Sequence, residues 1–164
     1  LRNHLITLDE SIESSWAQVE NQLQRRYDLV PNLVNSVKGY ARHEQDLYAN
    51  IAASRAKMAG ANSRAQKLAV SNQMEGFLSR LLVVVERYPN LKANQSFNRL
   101  MDELSGTENR LSIERRRYNE HVKLYNRTIR KFPYRYVADW NGFEKTEYFQ
   151  INEKAATVPV VDFN

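Results

Sequence analysis

Glu44, Glu108 and Arg115 occupy places that a three- and four-residue apolar repeat reserves for apolar side chains. A charge on such a seam is costly to bury unless it is paired and hydrogen-bonded, so each marks either a register device or a site of chemistry. Counting back across helical hairpins sets Glu44 near Trp16 and Phe77, and Glu108 near Leu47 and Met74. The expectation is an interhelical polar layer of Glu44, Glu108 and Arg115, with an arginine or the Trp16 N–H as hydrogen-bond partner, fixing register between helices. The chemical alternative is a carboxylate metal site inside a bundle. Such a site uses several glutamates with Glu-x-x-His repeats on facing helices, and the sequence contains no Glu-x-x-His.

The remaining candidates are sparser. His4, His43 and His121 form no recognisable ligand set, and although His43 and Glu44 begin HEQDL, Leu47 stands where a zinc-protease helix needs its second histidine. Arg25 and Arg26 could contact a partner or a lipid headgroup, or bond the last carbonyls of a helix, as cations near a C-terminus do. Zero cysteines exclude disulfides and thiolate chemistry. No glycine-rich phosphate loop, nucleophile motif or zinc spacing appears, so neither catalysis, metal nor cofactor is expected.

Five glycines and four prolines in 164 residues favour long helices over many short strands, and 42% hydrophobic content suits a single domain with a real core. The predicted class is all-α. Leu5, Leu8, Ile12, Trp16, Val19 and Leu23 predict a first helix over about 1–28. Asp28 as a cap and Pro31 in a first turn predict a corner and a second helix over 29–58, with Leu33, Val37, Tyr40, Leu47 and Ile51 on its face. Gly60 to Ser63 interrupts the pattern, and Ser63 with Gln66 has capping-box spacing, which starts a third helix over 64–87 with Leu68, Met74, Phe77, Leu78, Leu81, Leu82 and Val85 apolar.

After Pro89 and the linker YPNLKAN comes a fourth helix over 94–131 with a coiled-coil-like seam of Phe97, Leu100 or Met101, Leu104, Glu108, Leu111, Arg115, Tyr118, Val122, Tyr125, Ile129 and Phe132. Gly106 inside it costs about 1 kcal/mol relative to alanine, through either a close backbone approach or mere tolerance. Pro133 ends the helix, and the tail 132–164 is expected to hold one short helix near Val137 and then an extended run anchored by Tyr148, Phe149, Val158, Val160 and Phe163. Short connections make the simplest fold an up-and-down antiparallel four-helix bundle with a long fourth helix.

Charge is concentrated in that last helix. Between Arg110 and Arg135 nine basic residues face Glu114 and Glu120, so 9 − 2 = +7, and the rest of the chain sums to 5 − 7 = −2. In a bundle the end of the fourth helix overhangs the shorter ones and runs beside residue 1, making Arg116, Arg117, Lys123, Arg127, Arg130, Lys131 and Arg135 a basic end for a membrane surface or a partner. Its long seam would also serve self-association. Nucleic acid is the competing reading, since three consecutive arginines with nearby tyrosines can track phosphates. Arg115, Arg116 and Arg117 fan around the helix, however, instead of forming one basic face.

The stretches QLQRRYDLVPNLVNSVKGYARHE (22–44), ASRAKM (53–58), SRLLVVVERYPNLKAN (79–94), FNRLMDELSGTENRLSIERRRYNEHVKLYN (97–126), FP (132–133) and VPVVDF (158–163) closely resemble the LemA family of bacterial proteins. YRYVADWNGF after Pro133 departs from the family, which is more apolar and less aromatic there. The resemblance implies a membrane-associated helical domain of unsettled biochemical role, with a single hydrophobic segment or lipid-type signal expected upstream of Leu1, so the chain reads as a fragment or processed product. The family also includes proteins of magnetosome membranes, a branch to which nothing in the sequence assigns this chain; the overhang together with the resemblance leads to the expectation of a scaffold or partner-binding role in membrane organisation. Under this resemblance the basic end approaches lipid headgroups, and Tyr134, Tyr136 and Trp140 suit an interfacial level.

Overall fold

The computed structural model describes residues 1–149, which are all-helical: α1 Arg2–Lys38, α2 Gln45–Ala59, α3 Arg64–Val85, α4 Pro89–Lys92, α5 Gln95–Thr128 and α6 Tyr134–Asn141. The expected anchors Val158, Val160 and Phe163 lie outside the described residues.

The expected corner at Pro31 is absent, because α1 continues through it to Lys38. Proline inside a helix forfeits one backbone hydrogen bond and crowds the preceding turn, at about 3 kcal/mol. Against that stands an uninterrupted buried stripe of Tyr27, Val30, Leu33, Val34 and Val37, which would be broken by a turn there. Several such side chains, at about 1.5–3 kcal/mol each, outweigh one bond. The true break follows Gly39. The amides of Tyr40 and Ala41 both donate to the Val37 carbonyl, at 3.0 and 2.8 Å, and α2 begins only after Glu44.

The boundary before α3 has the expected chemistry. The Ser63 hydroxyl accepts from the Gln66 amide at 3.1 Å while the Gln66 side chain reaches back to the Ser63 amide at 3.4 Å, a reciprocal capping box. Pro89 stops α3 as expected but also opens α4 at a position where its missing N–H is harmless. Beyond Thr128 the chain turns into α6, the short helix expected near Val137, which Gly142 ends at φ +70°, a left-handed conformation that glycine adopts without strain.

Two compact units result. Unit 1 joins Leu1–Arg26 to Leu104–Phe149; the described part of unit 2 is Tyr27–Glu103. In unit 1, α1 supplies Leu5, Leu8, Ile12, Trp16, Val19 and Leu23, and α5 supplies Leu111, Tyr118, Val122, Tyr125 and Ile129, all buried. Trp16 meets Tyr118 with ring centroids 5.6 Å apart, and His4 meets Tyr134 at 5.5 Å. These pairs run the helices antiparallel. They also place the start of α1 beside the chain just past α5. In unit 2, α2 and α3 form a hairpin around Leu47, Ile51, Met74, Leu78 and Leu81.

Candidate functional site

The two glutamates and the arginine singled out on the seams each find a different partner. Glu108 is gripped by Arg26, whose Nε and Nη2 donate to Oε1 and Oε2 at 2.6 and 2.5 Å. Arg26 continues the α1 stripe, Val19, Leu23, Arg26, Val30, and is 1% exposed, whereas the Glu108 side chain keeps 32% of its surface. A planar fork on a carboxylate is the geometry that makes buried arginine tolerable, and it ties one position of α1 to one of α5. Arg26 is thus an interior residue rather than a cap for helix carbonyls, since α1 continues for twelve residues beyond it. The signal was its place in the three-four repeat.

Glu44 sits at the N-cap of α2, half-buried, with one carboxylate oxygen 4.0 Å from Arg87. Arg115 places its guanidinium over the Phe149 ring, 5.3 Å from the centroid. The polar pair that forms is Arg26–Glu108. Among the described residues no three His, Asp or Glu side chains converge as a metal site would require. His4 and His43 are exposed and His121 is half-buried.

The nearby backbone is organised by Tyr48, whose hydroxyl donates to the Ala41 carbonyl at 2.5 Å and closes the loop between α1 and α2. Burial first, then the negative charge of Glu44 and the neighbouring Tyr88, raises the Tyr48 phenol above its usual range. In unit 1, burial followed by Asp9 and Glu144 does the same to Tyr125.

All seven residues of the expected basic end are exposed. They do not share one place. At about 1.5 Å per residue, Arg116 and Arg117 lie roughly 17 Å down the shaft of α5 from Thr128, and Arg117 is turned onto Glu114 at 3.2 Å. With Arg115 over Phe149, the three consecutive arginines present no common phosphate-tracking face. The end proper holds Arg127, Arg130, Lys131 and Arg135, with Asp139 as an opposing charge. A depression of about 500 Å³ beside α6 is lined by Arg130, Arg135 and Lys145 but also by Asp139 and Glu144, a mixed set that disfavours a tight anion pocket.

Aromatic side chains complete that end. Phe132, Tyr136 and Trp140 are 83%, 68% and 91% exposed, while the opposite face of α6 is held by buried Ala138 and half-buried Tyr134 and Val137. Phe132 therefore leaves the seam to which the repeat assigned it. Tyr134 is engaged with His4, so Phe132 takes its expected place among the outward aromatics.

Beyond α6 the chain is fastened by two asparagines of α5, a device the sequence reading missed. Asn126 gives its amide N–H to the Thr146 carbonyl at 2.8 Å and accepts the Thr146 N–H at 2.9 Å; Asn119 treats Phe149 alike, at 3.0 and 2.8 Å. The Tyr118 hydroxyl adds a bond to the Glu147 carbonyl at 3.2 Å. Seven helical residues rise about 10.5 Å, and three extended residues span about 10 Å, so the two spacings match. Of the expected anchors Phe149 is buried, whereas Tyr148 is 38% exposed.

A model of the LemA family matches residues 15–163. The chain belongs to the LemA family. It is similar to magnetosome protein MamQ 2 of Paramagnetospirillum magneticum, at 27% identity over 185 residues that cover 97% of this chain and 68% of that protein. Magnetosome protein MamQ of Magnetospirillum gryphiswaldense matches at 25%, with the same coverage. Protein LemA of Metamycoplasma hominis matches at 22% over 153 residues, 93% of this chain and 70% of that protein. Both partners of the Arg26–Glu108 fork and both asparagines of the clamp fall inside the span matched by the LemA model. Among the described residues of this LemA-family chain, no helix is long and apolar enough to cross a membrane.

Proposed function

We propose that this LemA-family chain is a noncatalytic, membrane-proximal scaffold whose unit 1 rests its basic, aromatic end on an anionic lipid surface and leaves its helical flanks for a protein partner. The observation carrying this reading is the gathering at one end of unit 1 of exposed Arg127, Arg130, Lys131 and Arg135 beside the start of α1. Each cation close to an anionic surface contributes about 1 kcal/mol, so these four with Lys145, less the opposing Asp139 and Glu144, give about 3 kcal/mol, enough for reversible docking and too little for permanent anchorage. Similarity to proteins of the magnetosome supports a role in organising a membrane compartment. For unit 2 we propose an up-and-down four-helix packing of the end of α1, α2, α3 and the start of α5, in place of the whole-chain bundle of helices 1–28, 29–58, 64–87 and 94–131 expected from sequence.

Sedimentation of the 164-residue chain with neutral and anionic vesicles across a salt series tests the lipid contact. Binding to anionic vesicles that falls with salt, and is lost in Arg127→Glu/Arg130→Glu/Lys131→Glu, is the expected result. Absence of wild-type binding at every salt concentration refutes it.

A further inference from the structure

Three aromatic residues of unit 1 stand apart from the rest. Trp16, Tyr118, Tyr125 and Phe149 are at most 5% exposed, whereas Phe132, Tyr136 and Trp140 stand 68–91% in the open. The open three recur at four-residue intervals on the outward side of α6 and the turn before it, with the Phe132 and Tyr136 rings edge-on at 6.2 Å. The inward face is pinned by Ala138 and by the Tyr134–His4 contact, so α6 cannot roll to bury them without releasing its own packing.

We propose that this stripe is an interfacial wedge: Phe132, Tyr136 and Trp140 insert into the headgroup–acyl boundary of an anionic bilayer while Lys131 and Arg135 meet the phosphates beside them. This rests on the lipid-docking reading above and adds insertion to it. Indole and phenol rings, apolar in body and polar at one edge, favour that boundary, and a helix presenting them beside cations lies in the interface plane. Charge selects the occupant. Arg127, Arg130, Lys131, Arg135 and Lys145 against Asp139 and Glu144 give 5 − 2 = +3, which attracts an anionic surface and repels the same end of a second copy. None of the three lines the depression beside α6; they stand out from the surface as projecting rings.

The chain has two tryptophans, Trp16 at 5% and Trp140 at 91% exposure, so Trp16→Phe leaves Trp140 as the reporter. Emission is measured with phosphatidylglycerol–phosphatidylcholine vesicles, with and without bromine on the acyl chains. The wedge predicts a blue shift and bromine quenching of Trp140, and vesicle binding weakened on the order of tenfold by Trp140→Ala. Should Trp16→Phe disturb the core, the difference spectrum between wild type and the surface variant Trp140→Phe gives the same readout. Sedimentation with vesicles while Trp140 stays unshifted and unquenched overturns the wedge and leaves the charge contact standing. Failure of both sedimentation and spectral change overturns the two readings together. A concentration-dependent blue shift without lipid would overturn the wedge in favour of self-association.

Discussion

Removing the Glu108 carboxylate should hurt more than removing the arginine it holds. In Glu108→Ala the guanidinium of Arg26, 1% exposed, loses both bonds to its bidentate acceptor in a place that water reaches poorly. Breaking a buried pair from one side costs about 3–5 kcal/mol; the 32% exposure of the Glu108 side chain admits some solvent and sets the expectation near 3. Arg26→Met takes away the buried charge itself and leaves a carboxylate with access to water, for about 1 kcal/mol. The double variant Arg26→Met/Glu108→Leu replaces the pair by apolar volume and should return to within about 1 kcal/mol of wild type, giving a coupling of roughly 2–3 kcal/mol. Urea unfolding followed by tryptophan fluorescence, both tryptophans lying in unit 1, and by circular dichroism reads unit 1 and the whole chain separately. Glu108→Ala within about 0.5 kcal/mol of wild type, or milder than Arg26→Met, would refute the reasoning.

Both states of Tyr48 are neutral below pH about 10; above it the unfolded phenol ionises first and the folded one, held higher by burial, keeps its proton, so stability falls as pH rises through the raised value. Tyr48→Phe should cost about 1 kcal/mol at neutral pH, because the Ala41 carbonyl loses its donor, and should decline less steeply above pH about 10; urea midpoints that fall in parallel in the two proteins would contradict this. A Cβ at Gly76 would meet nothing within 4 Å, and one at Gly106 only the mobile end of Arg110, from 3.6 Å. Each glycine-to-alanine change should therefore stabilise by about 0.5–1 kcal/mol in thermal unfolding, and a loss at Gly106 would show that a close approach had been missed.

The parts of this fold legible in the sequence are those where one local rule acts alone. The Leu5 to Leu23 stripe, the Ser63–Gln66 capping box and the short helix at Val137 needed only periodicity or cap chemistry, and the structure has all three. At Pro31 the local penalty of proline points to a corner, and the buried stripe on either side of it outweighs that penalty. Glu44 looked like a charge on a seam, whereas it is where the seam stops. Tyr40 and Phe132 failed for a common reason: each lies a few residues past a helix end, at Lys38 and Thr128, where the three-four count no longer maps onto a neighbour, and both are exposed. Arg26 reads as a surface contact or a cap only if a helix ends at Asp28; its interior place and its pairing with Glu108, 82 residues away, depend on α1 continuing through Pro31.

The asparagine clamp carries a different kind of consequence. Asn119 and Asn126 hold the main chain of residues 146 and 149 and are blind to most of the side chains there. Proline is barred from both places because each N–H is used, yet Glu147 and Tyr148 are exposed and free to change. The run 146–149 is thus fastened mainly through its main chain, with the buried Phe149 ring under Arg115 as the side chain that is fixed. Evolution can rewrite the outward face of that region, and a protein engineer can graft a reporter or a binding epitope at 147–148, without renegotiating how it is fastened to α5.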